Sequence, residues 1–229
     1  MRKTINKFIS KLKKEDFEIS EDIPLRYLIS IILGRLILLI RGLLTFCNKD
    51  KYFFRGANVK MYCKSKIFIG KGVTIARGCY LDALSVEGIK IGRNSSLGKN
   101  TYIECSGSLK NIGKGIMVGN YVGLGANNFF GCAGGVIIGD NTIMGNFVSF
   151  HSENHEYSKK NIPIRLQGIT REGISIGEDC WIGSKATILD GVFVEDGCII
   201  AAGSLLLRGK YKKDGIYGGV PAKLIKNRY

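Results

Sequence analysis

Large apolar side chains recur at every sixth residue through most of this 229-residue chain, and this period constrains its fold more than any other feature. Ile69, Ile75 and Leu81 show the spacing early in the chain, and Ile176 and Ile182 repeat it later. A period of six matches neither the 3.6 residues of an α-helix nor the alternation of an ordinary strand. It is the period of a β-helix in which each hexapeptide forms one short strand and one turn.

Two linked positions of the repeat define the predicted core. The first is aliphatic or aromatic and comprises Ile69, Ile75, Leu81, Ile91, Leu97, Ile103, Ile112, Val118, Leu124, Phe130, Ile138, Met144, Phe150, Ile176, Ile182, Ile188, Val194, Ile200 and Leu206. The second lies four residues later, is small or β-branched, and comprises Val73, Cys79, Ser95, Thr101, Val122, Thr142, Val148, Cys180, Ala186, Val192, Cys198 and Ser204. An ordinary β-sandwich would alternate with period two, so an all-β, parallel β-helix is the predicted fold class.

Residues 1–55 precede the repeat and are expected to form a helical appendage to the β-helix domain of 56–229. A Lys-rich amphipathic helix is predicted over 4–19, and a second helix over the apolar stretch 23–46, starting near Pro24. The second has the length of a membrane span, but Arg26, Arg35 and Arg41 interrupt it. We interpret it as an amphipathic helix that rests on a membrane surface or packs entirely on protein, capping the first coil.

The two histidines of the chain lie at the longest break in the repeat. After Phe150 the six-residue phase does not resume until Ile174 or Ile176, which leaves a loop at 152–173. Loops of about twenty residues inside a compact domain are usually functional. His151 and His155 border or lie in this loop, and imidazole is the side chain best suited to proton transfer at neutral pH.

Residues 56–226 resemble the hexapeptide-repeat acyltransferases. FHSENH at 150–155 and IPIRLQG at 162–168 are similar to the acceptor loop of the sugar and polysaccharide O-acetyltransferase branch. DCWIGS at 179–184 resembles its aromatic-containing coil, and AAGS at 201–204 with GVPAK at 219–223 resembles its acetyl-CoA-binding end. The resemblance implies left-handed coils, an acetyl-CoA donor without a metal, a sugar or polysaccharide acceptor, and a homotrimer with sites between neighbours.

The resemblance also assigns roles to residues. His155 falls in the register of the catalytic general base, and a backbone N–H in the coil of Gly183 and Ser184 is expected to stabilise the oxyanion. The resemblance implies that the acceptor is bound by His151, Asn127 and Trp181. It implies that the coenzyme is bound by Ser184, Ala202, Leu207, Arg208, Lys223 and Lys226, toward a basic C-terminal cap. Two positions depart from the family: Leu207 stands where Thr is frequent, and Gly125 stands in the register of the acceptor-binding Asn.

The net charge of +15 requires an anionic partner. The coenzyme phosphates and an anionic membrane surface are both candidates, whereas the absence of a nucleic-acid-binding motif excludes nucleic acid. Three of the seven cysteines, Cys79, Cys180 and Cys198, occupy the small inward position and are expected to be buried rather than disulfide-bonded. This cysteine usage predicts a cytoplasmic protein, with peripheral attachment to the inner membrane face left open.

The predicted function is therefore acetyl-CoA-dependent O-acetylation of a sugar hydroxyl on a surface polysaccharide or its precursor. Two alternatives remain: N-acylation of an amino sugar or sugar nucleotide, and a non-enzymatic β-helical scaffold. A γ-type carbonic anhydrase is excluded, because it would need three histidines around zinc and the chain has two.

Overall fold

The computed structural model describes residues 6, 18–46 and 52–229. The chain divides into two compact units, Met1–Ile37 and Leu38–Tyr229. The Lys-rich helix predicted over 4–19 lies almost entirely outside the described residues.

The predicted second helix is present as α1 (Leu25–Phe46). It begins where expected, because the Pro24 carbonyl accepts hydrogen bonds from the amides of Tyr27 and Leu28 at 3.0 and 3.2 Å. Its stretch Leu25–Thr45 has a mean hydropathy of 2.1 and is long and apolar enough, by length and composition, to cross a membrane. Near the end of the helix, a side chain at Gly42 would meet the carbonyl oxygen of buried Phe53, so only glycine allows this close approach.

The second unit winds through seven coils, each of which gives one short strand to each of three sheets. The first four coils are formed by β1 (Phe54–Arg55), β2 (Lys60–Tyr62) and β3 (Ile67–Ile69); β4 (Thr74–Ile75), β5 (Tyr80–Asp82) and β6 (Ile89–Ile91); β7 (Ser96–Leu97), β8 (Tyr102–Glu104) and β9 (Ile116–Val118); and β10 (Gly123–Leu124), β11 (Phe129–Gly131) and β12 (Val136–Ile138). Single 3-10 turns occur at Lys64–Lys66 and Ile164–Leu166.

The last three coils follow the same order and include one antiparallel hairpin. They are formed by β13 (Ile143–Met144), β14 (Ser149–His151), the hairpin strands β15 (Asn154–His155) and β16 (Ile169–Thr170), and β17 (Ile174–Ile176); β18 (Trp181–Ile182), β19 (Thr187–Leu189) and β20 (Val192–Val194); and β21 (Ile199–Ile200), β22 (Leu205–Leu206) and β23 (Gly209–Tyr211). An antiparallel pair, β24 (Gly215–Gly219) and β25 (Ala222–Asn227), follows the seventh coil.

Successive coils are joined by parallel ladders, which confirms the predicted parallel coil architecture. Sheet A contains the first strand of each coil together with β24 and β25, nine strands in all. Sheets B and C contain the second and third strands, seven each. Each corner between sheets is named here by the sheets that it joins, so the chain passes the A/B corner and then the B/C corner in every coil.

The interior of the unit is filled as the six-residue period predicts. All the predicted aliphatic positions are buried except Ile112, and all the small positions are buried, including Cys79, Cys180 and Cys198. The prediction for Ile112 was wrong: its side chain is 41% exposed. The third coil carries an extra loop before β9, so the repeat resumes with Ile116 and Val118 rather than at Ile112.

The turns between sheets depend on left-handed backbone conformations that stack from coil to coil. At the A/B corner, for example, φ is 56° at Asn100, 57° at Asn127, 60° at Phe147 and 62° at Lys185. Asn tolerates this region, whereas a bulky residue such as Phe pays a steric cost there. The Phe147 backbone is held by its N–H, which bonds the Ala126 carbonyl at 3.0 Å in the coil below.

Replacing Phe150 by Ala should destabilise the fold strongly. Phe150 is fully buried and its ring stacks on that of Phe130, with centroids 4.9 Å apart, so truncation leaves a cavity between two coils. We expect the free energy of unfolding to fall by about 3–5 kcal/mol in urea denaturation. Leu109→Ala is the control, because Leu109 is 83% exposed and its loss should change stability little. Equal midpoints for the two variants would contradict this account of the core.

Candidate active site

The loop at 152–173 leaves the B/C corner of the fifth coil, where sequence reasoning placed it, and it has its own structure. Its two arms form the β15–β16 hairpin, in which His155 faces Ile169 and Asn154 faces Thr170. Farther out, the Gln167 side chain closes the loop by accepting from the Lys159 amide at 2.8 Å and donating to the Ile162 carbonyl at 2.6 Å. His155 is exposed to solvent, and the hairpin pairing together with the Gln167 contacts fixes the loop that carries it.

Buried polar side chains fix both ends of this loop to the coils. At its start, the Ser152 hydroxyl donates to the Gly131 carbonyl at 2.8 Å and accepts from the Gly134 amide at 2.9 Å. At its end, the Asp190 carboxylate accepts from the amides of Glu172 and Gly173, at 3.0 and 2.7 Å. Ser152 is 1% and Asp190 3% exposed. These side chains satisfy backbone donors and acceptors that the interrupted repeat would otherwise leave unpaired.

Arg171 joins the hairpin to a second loop at the same corner. This second loop, residues 106–114, is the extra segment of the third coil. The Arg171 guanidinium pairs with Glu153 at 2.7 Å and donates to the carbonyls of Ile112 and Asn111 at 3.2 and 3.1 Å. We call this set of contacts the Arg171 clamp. It ties the base of the His155 hairpin to a segment about sixty residues away in sequence.

His151 lies on the outer side of β14, at the end of a column of aromatic rings on sheet B. The column comprises Tyr62, Tyr80, Tyr102, Phe129 and His151, with successive centroids 5.3, 4.3, 5.7 and 5.5 Å apart. The Phe129 ring lies over Gly131, where an added Cβ would come within 3.2 Å of its Cε1 atom. Burial lowers the pKa of His151, which favours its neutral form.

Three predicted site residues, Asn127, Ser184 and Ala202, lie at the A/B corner of the fourth, sixth and seventh coils. The Asn127 side chain accepts from that of Asn100 at 3.1 Å, and the Ser184 hydroxyl accepts from the Asn146 amide at 3.2 Å. Ala202 sits in the coil after Ser184, so close beneath the preceding corner that a side chain at Gly183 would collide with it. These contacts make the A/B corner a regular, rigid edge.

The Gly183 amide is engaged in the coil ladder, where it donates to the Ile200 carbonyl at 2.7 Å. It is therefore not available to stabilise an oxyanion. Across the described part of the chain, the backbone bonds of this corner do not include the Ser184 amide, which leaves it as the donor of the pair expected from sequence.

The remaining predicted residues are more dispersed. Trp181 is half exposed on the outer side of sheet A, between Ile143 and Ile199 in the flanking coils, and not on the sheet that carries His151. Lys223 and Lys226 are exposed on β25.

Leu207 and Arg208 lie at the B/C corner in the last coil. The Leu207 carbonyl accepts from the Tyr211 hydroxyl at 3.0 Å, and Arg208 pairs with Glu172 at the end of the acceptor loop at 3.1 Å. Both partners of the ion pair are well exposed, so it contributes little to stability.

Seven of the ten predicted residues thus border the outer face of sheet B along two edges. His151, His155, Leu207 and Arg208 lie at or beside its B/C corner, and Asn127, Ser184 and Ala202 along its A/B corner. Trp181, Lys223 and Lys226 belong to sheet A. Cys180, next to Trp181, is unsuited to be a nucleophile because its thiol is buried, which raises its pKa to about 12.

Sequence reasoning missed the Arg171 clamp, Ser152, Asp190 and the strained aromatic Phe147. The pairing of Glu153 with Arg171 carries no periodic signal. Phe147 did carry a sequence signal, because it occupies the turn position that holds Asn100 and Asn127 in the two preceding coils. An aromatic residue departs from that pattern, and its side chain is 55% exposed.

Comparisons with known proteins agree with this architecture. Residues 173–208 match the family model described as the hexapeptide repeat of succinyl-transferase. Over 176 residues the chain is 32% identical to the protein named probable acetyltransferase Rv3034c, from Mycobacterium tuberculosis. That alignment covers 76% of this chain and 54% of the relative, so the chain spans about half the length of the curated relative it matches.

Among solved structures, the chain is similar to a mutant of AntD, an N-acyltransferase from Bacillus cereus in complex with dTDP-4-amino-4,6-dideoxyglucose and coenzyme A. The TM-score is 0.51 at 18% identity, covering 79% of this chain and 82% of AntD, which supports the fold alone. A maltose O-acetyltransferase from Clostridium difficile aligns at a TM-score of 0.44 and 17% identity, covering 86% and 88%, which is too distant to support an argument. The chain therefore carries the hexapeptide repeat that the family model describes, and it is similar to a protein named as an acetyltransferase.

Proposed function

We propose that this chain transfers an acetyl group from acetyl-CoA to a hydroxyl of a sugar, on a surface polysaccharide or its precursor, with His155 as the general base. One observation carries the proposal: both imidazoles of the chain lie at the single corner where a structured hairpin interrupts the coils. The similarity to a named acetyltransferase supports the acyl group and the donor.

In the proposed reaction, the His155 imidazole takes the proton from the sugar hydroxyl as that oxygen attacks the thioester carbon. The resulting tetrahedral oxyanion accepts a hydrogen bond from the Ser184 amide. It then collapses, the C–S bond breaks, and the protonated imidazole returns its proton to the coenzyme thiolate. No covalent acyl-enzyme forms, and the pKa of Cys180 accords with that route because its thiol stays protonated.

The positions of the proposed groups favour a site shared between subunits. His155 extends from the B/C corner and Ser184 lies at the A/B corner, on opposite edges of sheet B in one chain. We infer left-handed coils that assemble as a homotrimer, in which the A/B edge of one subunit faces the His155 hairpin of the next. Ser184 and Ala202 would then line the coenzyme groove, and Arg208, Lys223 and Lys226 would contact its phosphates.

The acceptor side of the site is assigned to the surface around the aromatic column. The His151 imidazole and the exposed amide of Asn127 offer hydrogen-bonding groups on either edge of sheet B, as sugar hydroxyls require. Trp181, on sheet A, would reach an acceptor only across a subunit boundary. An amino sugar or sugar nucleotide is the alternative acceptor, and a panel that pairs each sugar with its amino analogue separates the two by product.

Replacing His155 by Ala should abolish most transfer. Loss of the general base is expected to lower kcat on the order of 10²–10⁴-fold, measured as coenzyme thiol release with acetyl-CoA and a sugar acceptor. Coenzyme affinity, measured by calorimetry, should stay unchanged. Lys159→Ala is the matched control on the same loop, because the contacts that Lys159 makes to Gln167 use its backbone. Near-normal turnover by the His155 variant would reject His155 as the base.

The Arg171 clamp should affect catalysis by positioning the hairpin that carries His155, and not by taking part in the reaction. Arg171→Lys keeps the charge but cannot make the bonds to Glu153, Ile112 and Asn111 together, so the hairpin should loosen. We expect kcat to fall roughly tenfold with KM for acetyl-CoA unchanged, because small displacements of a catalytic group are costly. Amide hydrogen exchange in β15 and β16 should speed up in parallel.

The control for this variant is Arg165→Gln, an exposed arginine in the same loop. It should leave both kcat and exchange unchanged. If the Arg171→Lys variant has the amide hydrogen exchange rates and the kcat of the wild type, the clamp does not position His155.

A further inference from the structure

Helix α1 carries an exposed aliphatic stripe. At about 100° per residue, nine exposed Leu and Ile side chains fall within roughly 140° of its circumference. They are Leu25, Ile29, Ile32, Leu33, Leu36, Ile37, Ile40, Leu43 and Leu44, and we call them the aliphatic stripe. Each is at least 40% exposed, and Leu44 reaches 75%. Apolar surface this continuous is rare on soluble proteins and marks a contact with another apolar phase.

A narrower polar sector borders the stripe on one side. It contains Ser30, Gly34, Arg41 and Thr45, and the exposed side chain of Ile31 lies beyond it. The Ser30 and Thr45 hydroxyls are satisfied within the helix, by the Tyr27 and Arg41 carbonyls at 2.7 and 2.8 Å. The aliphatic stripe is thus the widest uniform sector of the helix surface, with Arg26 entering its range at the first turn.

The charges on and before the helix identify the phase that covers the stripe. Residues 25–46 contain three arginines and no acidic residue. Residues 1–14 add six basic side chains and residues 15–22 add five acidic ones, so residues 1–46 carry a net charge of +4. If the stripe packed on the α1 of a second copy, these cations would be brought together without acidic partners on the helices. An anionic lipid surface supplies both an apolar phase for the stripe and opposite charges for the cations.

The distribution of arginines also decides the orientation. A helix of 22 residues could span the hydrocarbon core, but Arg35 would then lie near its centre and Arg41 at depth. A helix lying in the plane of the interface immerses the stripe while leaving Arg41, Ser30 and Thr45 on the aqueous side. We propose that α1 lies in the plane of an anionic membrane interface, held by the aliphatic stripe and by the basic residues of the helix and of residues 1–14, and attaches the β-helix to that surface.

Vesicle binding by the full chain tests this proposal. The wild-type chain should co-sediment with phosphatidylcholine vesicles that contain about 30% phosphatidylglycerol, and more weakly with phosphatidylcholine alone or at high salt. The double variant Leu36→Gln and Ile40→Gln should bind roughly tenfold or more weakly, because two side chains at the centre of the stripe become polar. The matched control is Val86→Gln with Leu109→Gln, two exposed apolar residues of the β-helix unit, which should bind like the wild type.

Two results would overturn the proposal. One is failure of the wild type to bind either vesicle, or equal binding by wild type and stripe variant. The other is a fall in oligomer size for the stripe variant, by light scattering without lipid, which would assign the stripe to a second copy. Circular dichroism ensures that the variant retains its helix and sheet content.

Depth measurements separate the in-plane helix from a span. The variants Ile29→Trp, Leu36→Trp and Leu44→Trp, each in a Trp181→Phe background, report depth through quenching of tryptophan fluorescence by brominated lipids. Equal, shallow depths at the three positions support the proposal. A deep tryptophan at Leu36 between two shallow ones would overturn it in favour of a membrane span.

Discussion

The β-helix unit depends on register between coils. A strand of two or three residues has no stability of its own, so each is held by ladders to the coils above and below and by an inward side chain that fits the same column. Leu124, for example, pairs with Leu97 on one side and Met144 on the other, and all three are buried. Adding one residue within such a strand would turn its inward side chain to solvent. Length can therefore change at the corners, between one strand and the next, without shifting the register of the strands.

This constraint explains where the functional groups lie. The chain departs from its repeat at the B/C corner of the fifth coil, yet β12 still pairs in register with β17 on the far side of the loop at 152–173. The loop costs the coil some backbone hydrogen bonds, and Ser152 and Asp190 replace them from buried positions. A second insertion at the same corner, 106–114, contacts the hairpin through the hydrogen bonds that Arg171 donates to its carbonyls. The two insertions thus lie together at one edge of a regular scaffold.

The inward columns could be predicted from sequence because each position obeys a local steric rule repeated in every coil. The one failure, Ile112, arose because an isoleucine six residues before Val118 satisfied that rule by coincidence, while the chain used Gly113 and Gly115 to turn and began β9 at Ile116. The break around His151 and His155 could be predicted as a loss of pattern, but not the hairpin within it. Its strand pairing and the Arg171 clamp join residues with no periodic relation, and the clamp partners are about sixty residues apart. The resemblance assigns Trp181 and His151 to the same acceptor site. The structure places the two residues on different sheets, a difference that the sequence pattern does not reveal.

The same rigidity sets a limit on how the groups at the two edges of sheet B can act together. Strands of sheet B are at most three residues long, so its edges are on the order of 10 Å apart at 3.3 Å per residue. Acyl transfer requires the reacting atoms to approach to about 3–3.5 Å. Close-packed columns such as Ile103, Phe130 and Phe150 do not bend, so the prism itself cannot bring its edges together. The reacting groups must therefore be brought together by parts of the assembly outside the coils of one chain. These are the hairpin that carries His155, whose angle the Arg171 clamp sets, and an edge supplied by a neighbouring copy. A clamp outside the reacting centre is then as much a condition for catalysis as the imidazole that it supports.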